Sequence, residues 1–115
     1  MKDKVKEIPR LLADAYAEII LSATYHSPKS VQELTRTYDI PIAACYRKIH
    51  DLEDADLIKC VGEIKSPRGK AIKLYRANIK EAHLTFEKGE FRIKLQFKTE
   101  KEEREWLTVK LHPRP

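Results

Sequence analysis

The chain has 115 residues, of which 42% are hydrophobic and 36% are charged. This length predicts one folded unit with a single core and excludes two independent cores. The formal net charge is +5 and the sequence pI is near 9.2. Such a balance favours an anionic partner; nucleic acid is the commonest, and a membrane surface or an acidic protein is the alternative.

No stretch is long and apolar enough to span a bilayer, and residues 1–7 lack the apolar core of a secretory signal. Two cysteines, Cys45 and Cys60, are too few for a disulfide framework. We therefore expect a cytoplasmic protein that does not enter a membrane. Both cysteines are interpreted as buried structural thiols, and a redox role is left open.

The first predicted element is a long amphipathic helix. Apolar residues recur at steps of three and four between Val5 and Ala23, which is the spacing of one helical face. Pro9 suits the first turn, where its missing N–H costs little. We expect one helix over residues 5–25, with an apolar stripe wide enough to leave one side for a second copy of the chain.

A shorter helix begins next. Ser30 and Glu33 have the spacing of a capping box, in which the hydroxyl and the carboxylate bind end N–H groups reciprocally. Val31 and Leu34 are its predicted inward positions, with Tyr38 as a further candidate.

A tight turn at residues 39–41 separates this helix from a second one. Pro41 can open that second helix, which is predicted over residues 42–55. Cys45, Ile49 and Leu52 follow each other at steps of four and three, so they form its buried side.

Two β-hairpins are predicted after the helices. The first covers residues 58–76, with a turn at 66–70, and the second covers residues 84–97, where Phe91, Ile93, Leu95 and Phe97 alternate with polar residues. For the last segment we expect a short helix from about Glu100 with an extended end. The predicted fold class is α+β: helices, a first hairpin, a second C-terminal hairpin, and a short terminal helix or strand.

The helix–turn–helix order predicts a function for the second helix. In this arrangement the first helix braces the second, whose exposed residues can reach base edges in the major groove of DNA. Arg47 can bind guanine through two hydrogen bonds, and apolar side chains can pack on thymine methyl groups. The candidate DNA contacts on this helix are Ile42, Ala43, Tyr46, Arg47, His50 and, at the phosphate rim, Lys48.

The first hairpin supplies a second group of candidates. Residues 65–76 carry five cations and no acid, and such a run beside a reading helix would reach phosphates or the minor groove. The bracing helix adds hydroxyl and guanidinium groups that suit phosphate. The candidates are Lys65, Arg68, Lys70, Lys73 and Arg76 on the hairpin, and Thr35, Arg36 and Thr37 on the bracing helix.

Residues 40–58 resemble the recognition-helix segment of ArsR-like winged helix-turn-helix transcription regulators, those of archaeal type especially. The family pattern has an apolar residue in the turn, here Ile40, and an arginine in mid-helix, here Arg47. The family pattern ends in Leu-x-x-Leu-Glu-x-Ala-Gly-Leu-Ile, and residues 52–58 fit its last seven positions apart from the glycine. The likeness covers about residues 8–77, and related winged-helix families share the pattern.

The resemblance implies a winged helix-turn-helix domain over residues 1–78 in a homodimeric regulator of double-stranded DNA. Helix 42–55 would read an inverted repeat in the major groove, and hairpin 58–76 would lie on the backbone or in the minor groove. The first helix and the extension 79–115, packed on the same domain, would form the dimer contact. Asp56 stands where the family has glycine, and the cysteine pair of the metal-sensing members is absent, so metal control is not carried over.

An alternative function is a winged-helix module for protein–protein interaction without specific DNA binding. In that case the hairpin 84–97, with Trp106, would hold a partner. The sequence lacks a glycine-rich phosphate loop, a nucleophile elbow, a carboxylate pair and a zinc constellation. We therefore expect no enzymatic activity, no metal site and no cofactor.

Overall fold

A computed structural model describes residues 4–98 and 107–111, with side chains from Ile8 to Lys98. These residues form an α+β structure with four helices, two antiparallel hairpins and a further strand, an architecture compatible with a winged helix. The elements are α1 (Lys4–Leu12), α2 (Ala15–Ala23), α3 (Val31–Tyr38), α4 (Ile42–Asp54), β1 (Ile58–Lys65), β2 (Ala71–Ala77), β3 (Ile79–Glu87), β4 (Glu90–Phe97) and β5 (Leu107–Leu111). None of the described helices has the length and apolar character needed to cross a bilayer.

The prediction of one helix over residues 5–25 is wrong, because the segment divides into α1 and α2. The carboxylate of Asp14 accepts a hydrogen bond from the Ala17 N–H at 2.9 Å and so caps the start of α2. A capping aspartate stabilises a new helix start at the expense of a continuous helix. Pro9 lies inside α1 and not in its first turn, since the helix begins several residues earlier.

The predicted capping box of α3 is confirmed. The Glu33 N–H donates to Ser30 Oγ at 3.1 Å, and the Ser30 N–H donates to Glu33 Oε1 at 3.0 Å. Val31 and Leu34 are buried as expected, whereas Tyr38 is 41% exposed. Tyr38 is in the last turn of α3, just before the chain reverses direction at Asp39 with φ 56°.

The buried side of α4 is also as predicted. Cys45, Ile49 and Leu52 are at most 2% exposed, and Ala44 joins them at the helix start. Two residues after the end of α4, Asp56 is in the left-handed conformation, with φ 61°. An L-residue pays a steric cost in this conformation, which aspartate tolerates better than most.

The turn that follows α4 is tied to Asn78, the residue between β2 and β3. The Asp56 carbonyl accepts a hydrogen bond from Asn78 Nδ2 at 2.9 Å, and the Asn78 N–H donates to the Leu57 carbonyl at 2.8 Å. Leu57 and Ile58 are buried directly below. Asn78 therefore holds the turn after α4 at the carbonyls of Asp56 and Leu57.

The first hairpin pairs β1 with β2 in antiparallel register, from Ile58 opposite Ala77 to Lys65 opposite Ala71. A bulge at Val61 shifts this register. An additional bridge joins the backbones of Lys29 and Tyr75, with N···O distances of 2.9 and 2.8 Å in the two directions. The base of the hairpin is thus bonded to the chain segment that leads into α3.

The second sheet has the strand order β3-β4-β5. The predicted alternation is present in the middle of β4, where Ile93 and Leu95 are buried while Arg92 and Lys94 are exposed, but it fails at both ends: Phe91 is 44% exposed and Gln96 is buried. The extended end predicted for the chain is strand β5, and the helix expected from about Glu100 falls on residues 99–106, outside the described part. The molecule is elongated, since its radius of gyration of 15.5 Å exceeds the roughly 13 Å of a compact domain of this size.

Candidate nucleic-acid interface

The outer face of α4 carries the residues predicted to read DNA. Ile42 is 53% exposed and Tyr46 is 51% exposed, and Ala43, Arg47 and His50 are exposed as well. This follows from the burial of the opposite arc, because a helix that packs one side into the core presents the other to solvent. Two large apolar or aromatic side chains beside an arginine make this face suited to contact, since exposed Ile and Tyr gain from burial.

A groove separates this face from the first hairpin. It has a volume of about 350 Å³, and its lining side chains come from α4, from the start of α3 and from β2: Val31, Gln32, Tyr46, Ala71, Ile72, Lys73 and Tyr75. The side chain of Tyr46 therefore lies on the side of α4 that faces the hairpin. This position fits a DNA phosphate or the edge of a DNA groove better than a base at the centre of the DNA groove.

Tyr75 forms the floor of this groove and is only 7% exposed. Burial raises the pKa of its phenol, and the nearby carboxylate of Glu53 raises it further. The phenol therefore stays neutral, and the floor of the groove adds no negative charge that would repel phosphate.

Lys48 is placed differently from its neighbours on α4. Its Nζ lies 3.0 Å from the Asp14 carboxylate, and the two side chains are only 23% and 24% exposed. It links α4 to the corner between α1 and α2. His50, in contrast, has a side chain that is 74% exposed, and its Nε2 lies 4.0 Å from Asp54 Oδ2.

The bracing helix α3 brings only part of its predicted set to the surface. Arg36 and Thr37 are exposed, but the Thr35 hydroxyl oxygen is buried without a hydrogen bond of standard geometry. It faces the Cys45 thiol, whose pKa is raised above its ordinary value by burial. Thr35 therefore points between α3 and α4, away from solvent.

The tip of the first hairpin displays its cations on a hydrogen-bonded turn. The Ser66 N–H donates to the Lys70 carbonyl at 2.8 Å, and the Lys70 N–H donates to Ser66 Oγ at 3.1 Å. Gly69 has φ 83°, a conformation that favours glycine. Arg68 and Lys70 are both exposed at this tip.

The bulge at Val61 decides which side of the hairpin its remaining cations occupy. Paired residues of an antiparallel ladder share a face, so the register places Lys65 and Lys73 on the same face as Tyr75. If Val61 were paired instead of bulged, Ile64 would lie on the face of Tyr75 and Lys65 would lie on the opposite face. The sequence reading missed this bulge, and a glycine at position 62 within a strand was the only signal for it.

Arg76 is engaged within the protein. Its guanidinium donates to the carbonyls of Tyr25 and His26, at 3.4 and 3.3 Å. Lys98 Nζ donates to the same Tyr25 carbonyl at 2.7 Å and lies 3.7 Å from the Tyr25 ring centre. These two cations join the first hairpin and the end of β4 to the segment that follows α2.

The cysteines differ from each other. Cys45 is fully buried, as predicted, whereas Cys60 is exposed, so the prediction of a buried thiol at Cys60 is wrong. Cys60 immediately precedes the bulge, where the strand no longer follows the buried pattern begun by Ile58. Within residues 4–98 and 107–111, no three His, Cys, Asp or Glu side chains are grouped so that they could hold a metal ion.

Comparison with known proteins adds no relative: no family model matches the chain, and no curated protein matches it.

Proposed function

We propose that this chain is a DNA-binding transcription regulator of the winged helix-turn-helix type, acting as a homodimer on an inverted repeat. In this proposal α4 enters the major groove and the first hairpin lies on the backbone or in the minor groove. The observation that carries it is the two-sided character of α4. One side of the helix is buried, while Ile42, Tyr46 and Arg47 on the other side are exposed beside a cationic hairpin.

The exposed side of α4 has chemistry suited to base edges. The planar guanidinium of Arg47 can donate two hydrogen bonds to guanine O6 and N7, and the small side chain of Ala43 leaves room for a thymine methyl group. Ala43 is exposed in the first turn of α4, the end that recognition helices present to bases, and Arg47 is exposed one turn further along on the same side.

The first hairpin supplies contacts that do not depend on base sequence. Lys65, Arg68, Lys70 and Lys73 are exposed, and only Glu63, opposite Lys73 in the register, brings a negative charge. Each cation that neutralises a phosphate releases counterions. The logarithm of the affinity therefore falls by about 0.9 per contact for each tenfold rise in salt concentration. The proposal therefore predicts a steep salt dependence that is shared by all duplexes.

Two variants separate base reading from backbone contact. Arg47→Ala is expected to cost about 1–3 kcal/mol of binding free energy and to relax base preference. Lys70→Ala is expected to weaken all duplexes alike and to reduce the salt slope by about 1. Lys88→Asn is the matched control, because it removes one exposed cation at the turn of the second hairpin, where Lys88 has φ 52° and asparagine is tolerated.

The measurement is fluorescence anisotropy of labelled DNA duplexes at several salt concentrations. The duplex sequences are first selected from a random pool by their binding to the protein. The proposal fails if Arg47→Ala and Lys70→Ala both bind like the wild type, or if Lys88→Asn weakens binding as much as Lys70→Ala. Absence of duplex binding at low salt would favour the protein-interaction alternative instead.

A further inference from the structure

A recess lies on the surface where the two sheets meet the helices. It has a volume of about 400 Å³, within the range of about 300–1,000 Å³ that small-molecule sites occupy. Its walls come from the end of α1, the last turn of α2 with the segment after it, the end of β2 and the first half of β3. None of its described lining residues is a candidate DNA contact, so the recess is separate from the face of α4.

The interior of this recess is apolar. Leu12 and Leu21 line it from the helices and Ile79 lines it from the second sheet, with Ala77 and Ala82 between them in size and position on the strands. Leu12 and Leu21 are only half-buried, so each has apolar surface that the core does not cover. A ligand with an apolar body would cover this surface and gain the free energy of removing it from water.

A bulge in β3 brings a charged side chain to the recess. Lys80 is the extra residue of this bulge, because its two neighbours pair with consecutive residues of β4. In a regular strand consecutive side chains point to opposite faces, yet all four residues from Ile79 to Ala82 line the recess. Bulges redirect side chains in this way beside functional sites. Lys80 is thereby placed at the edge of an apolar cavity.

Three cations border the recess at Tyr25, and none of them has an anionic partner in the described part of the chain. Lys80 lines the recess together with Tyr25. Lys98 Nζ lies 3.7 Å from the centre of the Tyr25 ring, and Arg76 Nε donates to the Tyr25 carbonyl at 3.4 Å. Among the described residues, no carboxylate oxygen lies within 4.0 Å of these three cations.

The positive charge at this end of the recess is therefore not neutralised by the described residues. The pKa of Lys98 is lowered, first by burial and then by repulsion from Arg76. The acid in the lining, Glu81, lies 3.1 Å from His83 Nε2 instead of pairing with Lys80. An anion beside these cations would relieve the repulsion and accept charge-assisted hydrogen bonds, which are about twice as strong as neutral ones.

We propose that this recess binds a small organic anion that has an apolar body and one acidic group, in the manner of a medium-chain carboxylate. The apolar body lies against Leu12, Leu21 and Ile79. The acidic group binds Lys80 at the rim, in the positive field of Arg76 and Lys98. Charge complementarity selects the anion, because a cationic ligand would add to the repulsion and a neutral one would leave it in place. The site goes beyond the proposed function and does not depend on it.

The test is isothermal titration calorimetry of the full chain, without DNA, with octanoate, octan-1-ol and octylammonium, which share one alkyl chain and differ in charge. We expect octanoate to bind at least about tenfold more tightly than octan-1-ol, and octylammonium not to bind. Lys80→Met should weaken octanoate binding by about tenfold and leave octan-1-ol binding unchanged, since it removes the charge alone. Lys88→Asn is the matched control, because it removes an exposed cation outside the recess.

A second pair of variants tests the apolar part of the site. Ala82→Phe places a ring in the recess and should abolish octanoate binding. Thr85→Phe adds the same ring to the same strand outside the recess and should leave octanoate binding unchanged. Circular dichroism establishes that each variant is folded.

Absence of octanoate binding at about 1 mM overturns the proposal, as does equal affinity for octanoate and octylammonium. Octanoate binding that neither Lys80→Met nor Ala82→Phe weakens also overturns it. Loss of binding in Phe91→Ser but not in Ala82→Phe would place the ligand on the exposed apolar end of the second sheet, where Phe91 is 44% exposed, and would overturn the site in the recess. Because the titrations contain no DNA, each of these outcomes is independent of whether the chain binds a duplex.

Discussion

Asp14 connects the start of α2 to α4, and its substitution tests how α4 is positioned. Its carboxylate accepts a hydrogen bond from the Ala17 N–H at 2.9 Å and lies 3.0 Å from Lys48 Nζ. The first contact starts α2, and the second ties α2 to α4. Because the two contacts depend on different properties of the side chain, substitutions can remove them one at a time.

The expected magnitudes follow from these two contacts. Loss of an N-cap costs about 1 kcal/mol, and an ion pair whose side chains are about one quarter exposed is expected to contribute about 0.5–1 kcal/mol after solvent screening. Asp14→Ala should therefore lower the free energy of unfolding by about 1.5–2 kcal/mol. Asp14→Asn keeps a capping oxygen and loses the charge, so it should cost only about 0.5–1 kcal/mol.

The ion pair also predicts a pH dependence. Burial alone would raise the pKa of Asp14, but the hydrogen bond from the Ala17 N–H and the contact with Lys48 outweigh it, and the pKa is lowered from 3.8. A carboxyl whose pKa is lower in the folded state stabilises the protein above its unfolded pKa and loses that contribution as the pH falls through the folded value. The difference between wild type and Asp14→Asn should therefore shrink below about pH 4.

Urea unfolding at about pH 7 and about pH 3 measures both effects, with Lys48→Met and the double variant Asp14→Asn/Lys48→Met completing a thermodynamic cycle. Glu18→Gln is the control for loss of one exposed acid on α2. A coupling energy of zero between Asp14 and Lys48 would refute the reasoning. We also expect Lys48→Met to leave the salt slope of duplex binding unchanged, in contrast to Lys70→Ala, because Lys48 is paired within the protein.

Two further predictions concern backbone strain and the thiols. Asp56→Gly should raise the free energy of unfolding by about 0.5–1 kcal/mol, since glycine has no steric cost at φ 61°, whereas Asp54→Gly in the last turn of α4 should lower it; equal destabilisation by both would contradict the strain at Asp56. A thiol reagent should label exposed Cys60 rapidly and buried Cys45 only after unfolding, because burial also raises the pKa of the Cys45 thiol; rapid labelling of both in the native protein would show that the packing of α4 is wrong.

Signals confined to a few neighbouring residues were sufficient for much of the fold. The Ser30 capping box, the buried side of α4 and the alternation in the middle of β4 were predictable, because hydrogen bonding and periodic burial within one element depend on local spacing. Asp56 was marked in advance only by the resemblance, since it stands where the family has glycine, and its φ is 61°. On the candidate interface, the exposure of Ile42, Tyr46 and Arg47 follows directly from the buried side of their helix.

Only the tertiary structure decided the features that join distant segments. The Asp14 carboxylate at the division between α1 and α2 also contacts Lys48, which is far away in the sequence. The bridge between Lys29 and Tyr75 joins residues that flank α3 and α4 in the sequence. The orientation of Thr35 between α3 and α4 arises from the same kind of packing. The amino-acid pattern alone determined the elements and their buried faces, because these follow from local periodicity, whereas the side chains left free to meet a partner depended on contacts between elements that no local pattern encodes.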